Sequence, residues 1–396
     1  MKSTIIFFLV LNSILSAAAY QIPNNSVNSA ALSTAYIANA NGADSAYYNP
    51  ANMIYNKNNH EIEFDATYVS LSSVNYKSSD GTYDINSKPH NAILPAIHYV
   101  SNKLTDDGIR MGFSIVTPYG LTREWEDQPA TSSAKKFELQ TIELNPSIAI
   151  PINSKFSIGL GLRYLISKGH VILDPSSTPY VDMKGEDEAF AYNIALSYKM
   201  SKELSLSATY RSDIMLNLKG NANVAIAGPS YITDASLEVA IPDNLILASA
   251  YTYNEHTTVE VTFDMTFWSK VTETNFEYKD ASAEAVFGTT TPKKWHDTYA
   301  YRLGLTHKYN NIITLMGGIA YSTNAADDEY VSYSSPESDS MTYSIGGRYI
   351  LNESIELGLA TLYSENKSRS VSNSKVKGKL SDKSVYSITV GASYKF

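Results

Sequence analysis

The chain contains no cysteine. That excludes a disulfide framework and a thiolate metal site. Charge is scarce: 18% of residues are charged, with a net of −9, which argues against nucleic acid as a partner. Long apolar runs are missing as well. Apart from residues 5–15, no stretch approaches the ~18 apolar residues a spanning helix needs. If the chain crosses a membrane, it must therefore do so as a closed barrel. Catalytic signatures are absent too. There is no G-x-S-x-G elbow, and the seven histidines, such as His60, His98, His256 and His307, lie without ligand spacing. No enzyme activity, cofactor or metal is expected. A serine and a histidine meeting at one rim of a barrel hydrolase is the enzymatic alternative.

Tyrosine is abundant, at 30 residues. It suits strands, and it suits a membrane interface because its ring is apolar and its tip is wet. The N-terminus has Lys2, an apolar run over residues 5–15 and then Ser16, Ala17, Ala18 and Ala19. Charge, short apolar core and A-x-A end predict a signal peptide over residues 1–19. Residues 20–59 differ in texture. Asn, Ala and Ser dominate, with no period-2 signal, as in Asn39-Ala40-Asn41-Gly42 and Asn49-Pro50-Ala51-Asn52. Such a segment of small residues is able to pack inside something else.

From His60 onward, alternation predicts fourteen strands. The first is marked by Ile62, Phe64, Ala66 and Tyr68; the last by Tyr386, Ile388, Val390, Ala392, Tyr394 and Phe396. Ile214 in the seventh, and Leu237 and Val239 in the eighth, are placed on the apolar, lipid-facing parity. Connections alternate in length. Short turns fall at 152–155, 200–203, 254–256, 310–311 and 351–354. Long polar loops fall at 72–89, 119–136, 170–186, 219–235, 271–294, 322–337 and 364–383. Short periplasmic turns alternating with long external loops is the pattern of an outer-membrane barrel. Arg110, Arg163, Arg211, Arg302 and Arg348 all fall on the parity opposite the apolar one. A charge facing mid-bilayer lipid costs roughly 2–4 kcal/mol, so all five should face the lumen. Trp125, Trp268 and Trp295 sit near external strand ends and read as interface anchors.

The chain resembles the FadL family of outer-membrane transporters for hydrophobic molecules. Three places carry the match: Ala43-Asp44-Ser45-Ala46-Tyr47-Tyr48-Asn49-Pro50-Ala51, Val116-Thr117-Pro118-Tyr119-Gly120-Leu121, and Thr209-Tyr210-Arg211-Ser212 followed by Leu218-Lys219-Gly220-Asn221. The resemblance implies an all-β, fourteen-stranded antiparallel transmembrane barrel over residues 60–396, with residues 20–59 as a hatch in its lumen. It also implies passive uptake of long-chain fatty acids or aromatic and aliphatic hydrocarbons through an external groove, a lumen pocket and a sideways exit. The loop 170–186 is shorter than in fatty-acid-transporting members, which weighs against that substrate. Implied partners are the hydrophobic substrate, outer-membrane lipid and lipopolysaccharide, and the barrel assembly machinery through the strand ending at Phe396. The barrel is expected to be a monomer. The alternative is a surface adhesin that binds host or matrix through its long loops. A hydrophilic porin is a second alternative.

Particular residues follow. Tyr47, Tyr48, Asn49, Pro50 and Ala51 are the expected gate, since Pro50 restricts Asn49 to an extended shape; the plain reading is a linker turn. Thr117, Pro118, Tyr119 and Gly120 are the expected exit. Proline cannot donate to a ladder, so it marks a kink in strand three or simply the strand's end. Val224, Ala225, Ile226, Ala227, Tyr231 and Ile232 are the expected external groove, because an apolar run in an external loop needs a reason; packing against a neighbouring loop is the other reading. Arg163 and Arg348 are the candidates for a substrate carboxylate, unless lumen carboxylates such as Glu143 or Asp213 satisfy them.

Overall fold

The computed structural model describes residues 20–57, 59–174 and 178–396. The signal peptide expected over residues 1–19 lies outside the described residues. Fourteen antiparallel strands form the wall. They are β1 (Glu61–Leu71), β2 (His90–Val100), β3 (Arg110–Val116, resuming as Gly120–Glu124), β4 (Lys136–Pro151), β5 (Phe156–Leu173), β6 (Tyr180–Lys199) and β7 (Leu204–Arg211, resuming as Ile214–Ala225). Then follow β8 (Tyr231–Ile241, resuming as Asn244–Tyr253), β9 (Thr257–Thr266), β10 (Thr298–Lys308), β11 (Ile313–Ser322), β12 (Ser340–Ile350), β13 (Ile355–Asn366) and β14 (Ser384–Lys395). β1 pairs with β14 from Glu61↔Lys395 to Leu71↔Val385, which closes the barrel and leaves it without an edge. His60 and Phe396 extend that closure by exchanging both backbone bonds, each at 3.0 Å.

Alternation follows the expected faces along most of the wall. On β9, Val259 and Val261 are exposed while Glu260 and Thr262 are buried. Arg110, Arg163 and Arg348 are buried inside, and Arg211 and Arg302 pair with the inward carboxylates Glu143 and Asp264. Burying the guanidinium groups against carboxylates and carbonyls keeps their charge out of hydrocarbon.

Residues 22–56 pack against inward-facing residues of the wall. They form α1 (Val27–Ala31), α2 (Ser45–Tyr48) and a 3₁₀ turn, Pro50–Tyr55. Inward-facing glycines let this segment touch the wall. A Cβ on Gly159 would collide with the Ala51 backbone, and one on Gly318 with that of Leu32. Side chains of the wall then take up its backbone polar groups. Glu260 of β9 accepts from the amides of Ile37, Ala38 and Asn39 at 2.6, 2.8 and 2.9 Å. Asp65 of β1 accepts from Val27 N at 3.1 Å.

Three expectations are corrected. The loops at 170–186 and 219–235 are largely strand, since β5 runs to Leu173, β6 starts at Tyr180, β7 runs to Ala225 and β8 starts at Tyr231. These extended strands and the other external segments enclose an apolar core of their own. That core takes in the tryptophans: Trp125 and Trp268 are 0% exposed, Trp295 6%. Trp268 packs edge-on to Trp295 at 5.1 Å and to Tyr20 at 5.0 Å, while Trp125 Nε1 donates to the Tyr333 carbonyl at 3.0 Å. They are core residues, not interface anchors. Finally, β7 and β8 are interrupted opposite each other, between Arg211↔Asn244 and Ile214↔Ile241. The interruption flips the faces, so Ile214, Leu237 and Val239 point inward and are buried rather than facing lipid.

Candidate functional site

Below the external core lies a small lumen cavity of about 80 Å³. Its lining joins three groups that are far apart in sequence: Ile22 and Pro23 with Pro118 and Tyr119, then Tyr47, Tyr48 and Pro50, then Thr209, Tyr210 and Arg211. The expected gate and the expected exit thus share one space.

Pro118 does not end β3; the strand resumes at Gly120. Between the two halves the ladder to β2 is lost, its last pair on that side being Ile97↔Ile115. The chain's own Tyr20–Gln21–Ile22 lies at the break. Ile22 N donates to Pro118 O at 2.7 Å, Gly120 N donates to Tyr20 O at 2.8 Å, and Gln21 bridges Tyr119. Tyr20 is held in turn by its hydroxyl on the Ala240 carbonyl and by its ring on Trp268.

The residues expected as gate pack tightly. Tyr48 OH accepts from Asn25 N at 2.7 Å and donates to Pro23 O at 3.0 Å. Its ring meets Tyr47 edge-on at 5.1 Å. Asn49 Nδ2 donates to Ile37 O at 2.8 Å and to Ser197 Oγ at 2.9 Å. Ala51 O accepts from Ser157 Oγ at 2.8 Å. Asn52 Nδ2 reaches the carbonyls of Ile37, Ala38 and Ala40.

The arginines sort differently from the expectation. Arg163 donates to Glu143 at 3.0 Å, to Ser212 O at 2.7 Å and to Tyr119 OH at 2.9 Å. Arg348 donates to Asn28 Oδ1 at 2.6 Å, Ser393 Oγ at 3.0 Å and Glu63 Oε1 at 2.5 Å. Both are occupied by protein groups, and neither lines the cavity. The carboxylate that occupies Arg163 is Glu143, as one sequence reading held; Asp213 is exposed instead. Arg211 is the arginine at the cavity. It pairs with the same Glu143 and lies over the Tyr47 ring at 4.4 Å. Two guanidinium groups thus share one carboxylate, leaving one positive charge in excess beside an apolar space. Arg211 was one of five lumen-facing arginines by parity; sequence alone did not single it out.

The residues expected as the external groove do not form one. Val224 is 0% exposed in the external core, whereas Ile232 is 75% exposed on the opposite face of the same hairpin. Strand alternation divides them. A different external cavity, of about 640 Å³, opens among the loops. Leu121, Phe137, Val171, Val239, Phe276 and Trp295 give it apolar walls, and Lys136, Lys293, Lys294 and Lys375 surround it. Burial, with Lys375 nearby, pushes the Lys293 amine down to about 8. No cluster of three or more metal-ligating side chains occurs among the described residues.

The family model described as "Outer membrane protein transport protein (OMPP1/FadL/TodX)" matches residues 8–396. Among curated proteins, the "Long-chain fatty acid transport protein" of Escherichia coli O6:H1 is 25% identical over 69% of this chain and 70% of its own length. The "47 kDa outer membrane protein" of Pasteurella multocida is 25% identical over 88% and 87%. Among solved structures, a Pseudomonas aeruginosa FadL homologue superposes with a TM-score of 0.82 at 17% identity, covering 96% of this chain and 100% of that one. The Pseudomonas putida toluene transporter TodX gives 0.73 at 16%, covering 94% and 98%. At these identities the structures bear on the fold alone.

Proposed function

The chain belongs to the OMPP1/FadL/TodX family of outer membrane transport proteins, and from that premise we propose that it takes up hydrophobic molecules that carry an anionic head. The family consists of transport channels located in the outer membrane. The finer steps are our own reading. An amphiphile is captured in the external cavity, its tail against Phe137, Phe276 and Trp295 and its head near Lys293 and Lys375. It passes to the lumen cavity, where Arg211 meets the head. Tyr47, Tyr48, Asn49, Pro50 and Ala51 close the way to the periplasm. The break at Thr117–Gly120, held shut by Tyr20–Ile22, is the sideways exit into the bilayer.

The observation that carries this reading is the lumen cavity itself. It touches the residues read as gate, those read as exit and a guanidinium with a charge to spare. An uncharged hydrocarbon would have no use for cations at both cavities, and desolvating them against apolar walls is costly unless an anion arrives.

Uptake of a radiolabelled long-chain carboxylate and of a radiolabelled alkylbenzene, in a deletion strain complemented with this chain, tests the reading. Carboxylate uptake should exceed the uncomplemented background. Arg211→Met should weaken carboxylate binding to the purified protein by roughly ten- to a hundredfold, the worth of one charge-assisted hydrogen bond at about 1.5–3 kcal/mol. Uptake that does not depend on the protein would favour an adhesin. Sugar-driven swelling of liposomes by the wild-type protein would favour a porin.

A further inference from the structure

The wall has a second discontinuity, between β6 and β7. Their ladder runs from Ser205↔Lys199 to Arg211↔Asn193, stops, and resumes only at Lys219↔Glu186. Residues 187–192 of β6 therefore face residues 212–218 of β7 without ladder pairing, and the register slips by one residue across the gap. A face-flipping bulge needs one extra residue in one strand. A stretch of this length is more than that task requires. On their other sides β6 stays paired with β5 along its length, and β7 with β8 except at Ser212 and Asp213. The gap is thus a seam between strands that are paired on their far sides, not a frayed end.

The depth of the seam follows from its outward side chains. Tyr198, Leu196, Ile194, Tyr192 and Phe190 climb β6 on the lipid-facing parity, and Glu188 and Glu186 follow. From Tyr198 to Phe190 the apolar band has the length a tilted spanning strand needs. The seam straddles its outer edge. Phe190 is 69% exposed, Tyr192 50% and, across the gap, Met215 58%.

Backbone without a ladder persists at such depth only if its polar groups are satisfied internally. Here side chains, with one backbone bond, take up several of them. Ser212 Oγ accepts from Tyr192 N at 3.0 Å, and Ser212 N still reaches Tyr192 O at 3.0 Å. Asp187 Oδ2 accepts from Asn217 N at 2.7 Å at the upper end. At the lower end the buried Arg163 donates to Ser212 O at 2.7 Å. Behind the seam, Ala191, Ile214, Leu216 and Leu218 present apolar side chains. Just below it, Asn193 and Arg211, the last ladder pair, line the lumen cavity.

We propose that the β6–β7 seam is a second side port, through which apolar substrate passes between the lumen cavity and the outer leaflet. It is separate from the break in β3, which the chain's own Tyr20–Ile22 occupies. The port rests on the transport role proposed above. Opening it parts apolar side chains and a few side-chain hydrogen bonds, with no run of backbone ladder to break.

The absence of cysteine makes a clean test available. The double variant Phe190→Cys/Met215→Cys carries the only two thiols, both exposed on the lipid-facing side of the seam. A bifunctional thiol reagent with a reducible spacer ties the two strands together. The control is Tyr198→Cys/Leu206→Cys, a directly paired position in the continuous wall. Uptake of the labelled carboxylate and alkylbenzene is measured in whole cells, before and after cross-linking and after reduction. The port requires a several-fold loss in the seam variant, restored by reduction, with the control unchanged. Equal uptake before and after cross-linking the seam, with the wild type transporting, overturns the port alone. So does an equal loss in both variants, which would mark a general need for a flexible wall. A wild type that transports neither probe overturns the transport reading itself, and the port with it.

Discussion

Replacing Glu260 with alanine removes the acceptor of three successive lumen amides, those of Ile37, Ala38 and Asn39. Glu260 is 3% exposed, and Ile37 and Ala38 are buried. Each buried donor left without a partner costs about 1–3 kcal/mol, so the two buried ones come to roughly 2–6 kcal/mol against the closed position of this turn, with the half-buried Asn39 amide adding less. The opposite side of the turn keeps its hold, because Asn49 and Asn52 still donate to the carbonyls of Ile37, Ala38 and Ala40. The variant should therefore keep its barrel and loosen only the lumen segment. Amide exchange at residues 37–39 reads this directly. A cost of about 3 kcal/mol corresponds to more than a hundredfold faster exchange if opening is local. Exchange in the β9–β10 ladder serves as the internal control. Glu260→Gln should fall between, since one neutral oxygen still accepts. Exchange of Glu260→Ala at the wild-type rate would refute the view that the wall carboxylate anchors the segment.

Three further outcomes are expected. Arg348→Met strands Glu63 without its cation in the lumen and should cost about 3–5 kcal/mol, read as an earlier heat-induced shift in gel mobility; an unchanged midpoint would count against the pair. Because the Lys293 amine sits near 8, it is mostly charged at pH 7 and mostly neutral at pH 9; calorimetry should show affinity for an anionic amphiphile falling over that range, affinity for an alkylbenzene staying level, and Lys293→Met flattening the anionic profile. Brominated lipids should barely quench the tryptophan fluorescence, since Trp125, Trp268 and Trp295 are packed in the external core; strong quenching would return them to the membrane interface.

The wall was legible because two solvents impose one period. Oil outside and an enclosed lumen inside force alternation, and the short turns at 152–155, 200–203, 254–256 and 351–354 stand where the polar breaks predict. The five arginines fell to the lumen side for the same reason. What alternation does not carry is continuity of face. Leu237 and Val239 share the parity of Leu245 and Leu247, yet the break after Ile241 turns the first pair inward. On each side of such a break the pattern is equally regular, so a two-residue interruption leaves no trace in the period. The external core was hidden for another reason. It is assembled from segments such as Tyr20, Trp125, Trp268, Tyr333 and Val376, which only the closed barrel brings together. The choice among arginines has the same character, because which guanidinium keeps charge to spare depends on where Glu143 points.

The lumen segment is held in two ways. Val27, Leu32, Ile37 and Met53 are buried in apolar clusters with wall residues such as Met316, Ala360 and Val100, and releasing them would expose that area to water at a cost of about 25 cal/mol per Å². The segment is held also by wall side chains on backbone groups: Asp65 on Val27, Glu260 on residues 37–39, Ser157 on Ala51, Ser344 on Ala31. While water is excluded, each of these bonds is expensive to break. Once water reaches them, each is exchanged for a hydrogen bond of similar worth, and the net cost drops to about 0.5–1.5 kcal/mol apiece. Only this second part of the hold weakens when water enters.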